Sequence, residues 1–550
     1  MHSGQRYAGR PGAAAPDAPG PLRRFSERVP APGPAWLWAA AGWIGGGLVL
    51  AAVLTRVSLA SPVNSDGASI ALQGWDLLHG HLLLHGWITA DASYYTCELP
   101  LLAVTQAFFG LTSLACHVAS ALAYAVVAVL AIALARTGSG GPAAVARCGV
   151  ALAVLAAPLI TSAGVAILLE APQHLGTAAF LLGSFLLIDR APTWRFTAPL
   201  AGAILCAGQV GDATVLYVAV PAVVLVCAYR VLAARKIRSV DAAVAVAAAV
   251  SVPVALLCRA TMVFFGAYAL VPARTAIAPR NQWWPNARQT WENVRSLFGS
   301  EVLHPGPGYV VAAVFGSACL VAAAFGLVRV AWTWRRASRG EQLVAAALVI
   351  NLVVYIVSTM PTHSSTREIA AVMPCGAVLA ARGFVPGRIA GIARARVALG
   401  VAVVLVLVPW AAAARQPVAR SEAVPLATWL TAHNLRYGIG GYWDASSVTV
   451  QSNNRVLVRA IISHGGLRAG PYYWETKKDW YSPALHRATF AIANNNTKFP
   501  EDYTTAKMEH FFGRPARIYV VAGREILVYR KNLLAVLGRP YLPLPSSPDG

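Results

Sequence analysis

The chain has 550 residues, of which 57% are hydrophobic and only 12% charged, and its mean hydropathy is +0.55. A soluble protein carries about 25% charged residues, so these values exclude an ordinary cytosolic enzyme, and the apolar richness excludes a disordered tail protein. The 45 basic and 23 acidic residues leave a net charge of +22, which would suggest nucleic acid in a soluble protein; in a polytopic membrane chain basic residues set topology, and no nucleic-acid partner is expected.

Residues 1–35, rich in Ala, Pro, Gly and Arg, are expected to form a disordered cytoplasmic N-terminus. The apolar stretch from Trp36 to Ala60 is too long for a signal-peptide core and predicts an uncleaved first span. Apolar segments follow at 113–135, 143–160, 172–188, 196–210, 213–229, 240–268, 308–334, 341–359, 368–381 and 398–413. A span needs about 20 apolar residues, so the expectation is a polytopic α-helical membrane protein of about eleven transmembrane helices.

The positive-inside rule orients it. With the N-terminus inside, Arg136, Arg147, Arg190, Arg230, Arg339 and Arg382 fall in inner loops, whereas 61–95 and 161–171 hold no Lys or Arg. A transmembrane domain over 36–414 then has outer loops 61–112, 161–171 and 270–307, the last an exception with four arginines. After an odd number of spans, 415–535 lies outside the plasma membrane. Pro425 to Leu435 reads as a helix, and Val456–Ile462, Ala488–Ala493, Ala516–Val521 and Ile526–Tyr529 as short strands, so this segment predicts a small extracytoplasmic α/β domain. Residues 536–550 are expected to be a flexible tail. The eight cysteines form no CxxC pair and read as buried hydrophobes, without disulfides or a zinc site.

The first outer loop carries the chemistry. Asp66 lies just beyond the first span, and Ile70, Leu72, Trp75, Leu77 and Leu78 after it make the apolar face of a short helix expected in the interface plane. Asp66 fits either an N-cap or a catalytic carboxylate. Next comes Tyr94-Tyr-Thr-Cys-Glu98-Leu-Pro100, an apolar helix ending Phe109-Gly110, and a long span. The second outer loop reads Ala166-Ile-Leu-Leu-Glu170-Ala-Pro-Gln-His174.

This order resembles the GT-C superfamily of membrane glycosyltransferases, in particular the branch of protein O-mannosyltransferases and the lipid A aminoarabinose transferase (glycosyltransferase family 39-like). Two positions depart from it: Gly67 stands where the family often has Glu, and Cys97-Glu98-Leu99-Pro100 stands where it often has Lys-Pro-Pro. The resemblance implies transfer of a sugar from a polyprenyl-phosphate donor to an extracytoplasmic glycan, lipid or protein acceptor, with inversion. Asp66 is then the general base and Glu170 the second acid. The leaving phosphate calls for arginine, a metal or a helix N-terminus. Arg367 is the first choice, with Arg274, Arg280 and Arg288 as further candidates; each equally fits a head-group anchor. Glu170 and His174 are four apart and so share a helical face; Glu170 could assist Asp66 or help bind a divalent cation, which is left open as a cofactor, or be a solvated loop acid. Asp212, with Gln209, is either a site residue at membrane depth or part of a surface turn. Trp283, Trp284 and Trp291 fit the interface or a cover over the donor, and Tyr442-Trp443-Asp444, Tyr472-Tyr473-Trp474 and Trp480-Tyr481 fit core packing or a carbohydrate surface. A non-catalytic wall-assembly protein of the same fold and a polytopic transporter or lipid flippase are the alternatives.

Overall fold

The computed structural model describes residues 34–190, 195–271, 276–301, 307–385, 411, 414–463, 468–496 and 503–541. The expected disordered residues 1–33, the last span at 398–413 apart from Ala411, and Arg274 therefore lie outside the described residues.

The first half is helical throughout: α1 (Pro34–Ser58), α2 (Ser65–Leu78), α3 (Glu98–Phe109), α4 (Ser113–Arg136), α5 (Gly141–Ala156), α6 (Ser162–Leu169), α7 (Leu175–Arg190), α8 (Thr197–Gly211), α9 (Val220–Ala234) and α10 (Val240–Phe264). It continues with α11 (Trp283–Leu297), α12 (Pro307–Trp332), α13 (Arg339–Val357) and α14 (Val372–Phe384). Local chemistry sets these boundaries. Asn64 caps α2 by accepting from the Gly67 N–H at 3.0 Å, Gly110 ends α3 at a φ of 67° where a side chain is disfavoured, and Ser338 and Glu341 close a capping box on α13.

Among the described residues seven helices are long and apolar enough to cross a membrane: Ala40–Ser58, Ser113–Arg136, Gly141–Ile160, Val215–Ala234, Val240–Phe264, Val310–Trp332 and Arg339–Val357. The chain is thus a polytopic helical membrane protein. The other expected spans with described helices are shorter, with 16 residues in α7, 15 in α8 and 13 in α14. At 1.5 Å per residue these reach only about 20–24 Å.

Two of the expected outer loops hold helices. The 161–171 segment contains α6, and 270–307 contains α11, whose Trp284 and Trp291 are exposed. Helix α2 buries much of its apolar face in protein. Its Ile70 and Ala71 are fully buried, because it packs between α3 and a helix of the C-terminal segment. The apolar face that suggested a lipid contact is covered by protein.

The basic residues of the predicted inner loops gather at one end of the bundle, where many fasten helix ends. Arg382 donates to Asp189 at 3.1 Å and to the Leu134 carbonyl at 3.2 Å. Arg339 pairs with Asp241 at 2.8 Å, and Arg147 donates to the Val385 carbonyl at 2.9 Å. Helix α4 runs from this end to Ser113, which accepts from Gln451 at 2.6 Å, so its 24 residues separate the two ends by about 36 Å.

The C-terminal segment adds α15 (Ala423–Ala432), α16 (Tyr442–Gln451) and α17 (Thr505–Phe512) to a six-stranded sheet. Two short strands precede that sheet in the chain, β1 (Trp87–Thr89) and β2 (Ala269–Leu270). The remaining strands are β3 (Tyr437–Gly440), β4 (Leu457–Ser463), β5 (Ala469–Pro471), β6 (Thr476–Lys477), β7 (Phe490–Ala493), β8 (Arg517–Val521) and β9 (Arg524–Val528). The six-stranded order is β5-β4-β3-β7-β9-β8. Strand β3 is parallel to β4 and β7, and β8 and β9 form a hairpin through Ala522 and Gly523 at positive φ, as a two-residue turn requires. A second, three-stranded sheet runs β2-β1-β6. It stitches the 61–112 segment, the chain after α10 and the C-terminal segment into one body. Tyr541 also hydrogen-bonds back to Pro471 and Tyr473, so the expected flexible tail is anchored up to that residue.

Candidate active site

The stitched end of the bundle holds a chain of carboxylates. Asp66 occupies the first turn of α2, one residue inside it, so the capping role belongs to Asn64 and the Asp66 side chain is free for another. Its Oδ1 accepts from the Tyr442 hydroxyl at 2.5 Å, and the same hydroxyl lies 3.2 Å from Glu475 Oε2. Helix α16 is held here by two further bonds: Ser65 Oγ donates to the Tyr442 carbonyl at 2.5 Å, and Ser69 Oγ to Ser446 Oγ at 2.8 Å. Burial pushes the Glu475 carboxyl well above its usual range, with Asp66 adding to the shift.

Glu170 meets this group from the other side. It is the C-cap of α6, the Asn64 backbone N–H bears on its carboxylate, and Gly67 lets α2 close on it: a Cβ there would stand 2.8 Å from Ala171 Cβ. That contact accounts for glycine where the family often has glutamate. Burial raises the Glu170 carboxyl to about 7, against the pull of Arg367 and with the Asp66 charge adding to burial. Asp66 and Glu170, 104 positions apart in sequence, are thus neighbours.

Arg367 is the partner of Glu170, at 3.1 Å. It also donates to the Ala166 carbonyl at 2.9 Å, the Ile167 carbonyl at 3.1 Å and Gln173 Oε1 at 2.5 Å. Four of its five N–H donors are therefore taken within the described residues. The arginine caps α6 and fixes Glu170, and one donor remains for a ligand oxygen.

His174 does not share a helical face with Glu170. Pro172 disfavours helix at the residue before it, α6 stops at Leu169, and His174 sits at a φ of 58° before α7 begins. Its Nδ1 lies 2.8 Å from Asp212 Oδ2, and its Nε2 lies 3.3 Å from Glu368 Oε1 and 3.0 Å from the Tyr94 hydroxyl. Asp212 is buried rather than in a surface turn. Burial pushes its carboxyl up, but His174, Thr177 and the Thr214 N–H outweigh this and hold it below the usual range. Asp91 completes the group; burial raises its carboxyl and the Glu368 charge adds to that. Asp91, His174, Asp212 and Glu368 line a common cavity, closed on the far side by Asn351 and Tyr355. Neither Asp66 nor Glu170 lines it; it adjoins them through the Arg367-Glu368 step. Tyr94, His174 and Glu475 all have φ between 49° and 58°, a concentration of left-handed backbone that costs about 1–3 kcal/mol per residue and gathers at functional sites.

Three expected candidates are not brought here or cannot be placed. Arg280 is exposed in a short 3₁₀ turn before α11, and Arg274 lies outside the described residues. Arg288 is exposed beside Glu292 at 4.0 Å. Among the described residues no group of three or more His, Cys, Asp or Glu side chains is arranged to hold a metal ion, so the arrangement gives no support to a divalent cation. Glu475, Asp91 and Glu368 are the residues that sequence reasoning did not select. Glu98 is another: 1% exposed, it accepts from the Gly176 N–H at 2.8 Å, and burial raises its carboxyl to about 7. The signal for Asp91 and Glu475 was faint, a lone acid beside aromatic pairs.

The short helices α2 and α3 after a first span, the bundle and the C-terminal sheet make up an arrangement of the kind the sequence resemblance implied. Two solved structures have it. The chain superposes on ArnT from Cupriavidus metallidurans bound to undecaprenyl phosphate with a TM-score of 0.53 and 12% identity, over 92% of this chain and 100% of that one. On the apo state of the same protein the values are 0.52 and 13%, over 91% and 99%. At such identities the likeness is one of fold. No protein-family model and no curated protein matches the sequence.

Proposed function

We propose that the chain is a membrane glycosyltransferase that moves a hexosyl or pentosyl unit from a polyprenyl-phosphate donor to an acceptor outside the cytoplasm. The observation that carries this reading is the meeting of Asp66 and Glu170, from separate segments, beneath α16. The fold adds support, since one structure sharing it holds undecaprenyl phosphate. Orientation follows from the basic end of the bundle, which the positive-inside rule assigns to the cytoplasm, leaving the carboxylate end and the C-terminal segment outside the plasma membrane.

In this mechanism Asp66 accepts the proton of the acceptor hydroxyl as its oxygen attacks the anomeric carbon. The bond from that carbon to the phosphate oxygen breaks on the opposite face, so the configuration inverts. Tyr442 positions the base. Glu170 and Arg367 position the first turn of α2, and the remaining Arg367 donor meets charge developing on the leaving phosphate. The cavity of Asp91, His174, Asp212 and Glu368 offers carboxylate acceptors for sugar hydroxyls. The test is Asp66→Asn in lipid-reconstituted protein, assayed for transfer from a panel of polyprenyl-phosphate sugars. Loss of transfer by at least about 100-fold is expected, and transfer at the wild-type rate would reject Asp66 as base.

A further inference from the structure

At the far end of α2 a cavity of about 480 Å³ opens between that helix, β4 and the segment after β6. Small-molecule sites span about 300–1,000 Å³. Arg459 of β4 lines it and is only 4% exposed. Its Nε donates to the Tyr437 hydroxyl at 3.4 Å, and its guanidinium lies 3.5 Å from the centre of the Trp480 ring. Its Nη1 has no hydrogen-bond partner. Among the described residues no carboxylate lies within ion-pair distance of it. Asp76, in the same cavity, is taken by Lys477 at 3.3 Å and by the Trp87 indole N–H at 2.8 Å. A buried guanidinium without a counter-charge is costly, and a buried donor left unmade adds to that cost. An anionic oxygen in the cavity would supply the missing counter-charge.

The rest of the lining fits a sugar ring. Trp75 is a half-buried indole wall suited to the C–H face of a pyranose, and Trp480 backs the Arg459 guanidinium. The amide of Asn454 and the carboxylate of Asp479 stand exposed at the rim, where they reach hydroxyl groups.

We propose that this cavity binds a saccharide unit bearing an anionic oxygen group, a hexuronate carboxylate being the simplest case, with Arg459 taking the anion and Trp75 walling the ring. Its role as the seat of the acceptor glycan rests on the glycosyltransferase reading; binding itself does not. Asp76 and Asp66 are ten positions apart on α2, about 15 Å, so the unit held here is remote from the bond being made.

The experiment is calorimetric titration of the full chain in lipid nanodiscs, without donor, using glucuronate, glucose and inorganic phosphate. Glucuronate is expected to saturate with a Kd of about 1 mM or tighter, and glucose and phosphate to bind at least tenfold more weakly. Arg459→Met is expected to weaken glucuronate at least tenfold while the protein keeps a cooperative thermal transition. If that variant does not fold, Lys477→Met serves instead: it frees the Asp76 charge into the cavity and is expected to weaken glucuronate but not glucose. Equal binding of glucose and glucuronate, phosphate as tight as glucuronate, no saturation at all, or wild-type glucuronate affinity in the folded variants would each overturn the proposal. Transfer is not measured here, so a failed transferase reading leaves this result standing, and the reverse also holds.

Discussion

Replacing Arg367 by Met tests whether Glu170 is held by that residue and, through it, whether the head of α2 is set for catalysis. The pair is 3.1 Å apart, with 17% and 12% of the two side chains exposed. Removing one partner of a buried pair costs about 3–5 kcal/mol, because the other charge stays buried without compensation. The Ala166 and Ile167 carbonyls lose their donors in the same step, and α6 has only eight residues, too few to hold itself. Against a total stability of about 5–15 kcal/mol, the apparent unfolding temperature should fall by several degrees. Glu170, raised to about 7 by burial, loses the neighbour that lowers it and should rise further. Transfer should then drop at least tenfold, about 1.4 kcal/mol of barrier. The decisive measurement is the cycle with Glu170→Gln. Once the orphaned charge is gone, the double variant should recover about 1 kcal/mol or more relative to the sum of the single losses. Strict additivity, or a single Arg367→Met variant with wild-type melting and transfer, would refute the reasoning.

Tyr442→Phe removes the hydroxyl shared by Asp66 and Glu475 and keeps the ring. A hydrogen bond to a charged group is worth about 1.5–3 kcal/mol, so transfer should fall roughly 10- to 100-fold with the fold retained, and wild-type kinetics would count against Tyr442 as a positioning residue. Glu98 and Glu170 are both raised to about 7 by burial, so each stabilises the folded form while protonated. That contribution is complete below the ordinary 4.5 and is lost as pH rises through about 7, at most roughly 3 kcal/mol per group. Melting temperature should therefore decline from about pH 5 to about pH 7.5, and less steeply in Glu98→Gln; a profile flat over that window would contradict the burial argument. Asp212 acts with the opposite sign, but only at far lower pH. Gly67→Ala places a Cβ 2.8 Å from Ala171 and 3.0 Å from Val63, so it should cost about 1–3 kcal/mol and Gly67→Glu more. Unchanged melting of Gly67→Ala would show that α2 and the segment after α6 are not in close contact.

The transmembrane class, the two short helices after the first span and four of the C-terminal strands were legible because they are local properties. Burying a 24-residue apolar helix such as α4, stopping α3 at Gly110 or alternating β8 needs only neighbouring residues. Asp66 and Glu170 were legible as candidates for a related reason: an acid at the edge of an apolar run is conspicuous. What surrounds them was decided by tertiary contacts that no local pattern encodes. Tyr442 read as core packing or a carbohydrate surface; α16, packed on α2, delivers its hydroxyl to Asp66, 376 residues away. Arg367 read as a phosphate ligand, yet the end of α6 and Gln173 take four of its donors. His174 read as the helical partner of Glu170, but Pro172 turns the chain and hands it to Asp212 and Glu368. Hydrogen-bond partners and the electrostatic surroundings of a carboxylate depend on which distant backbone closes over it, and here that closure is made by three short strands drawn from three separate parts of the chain.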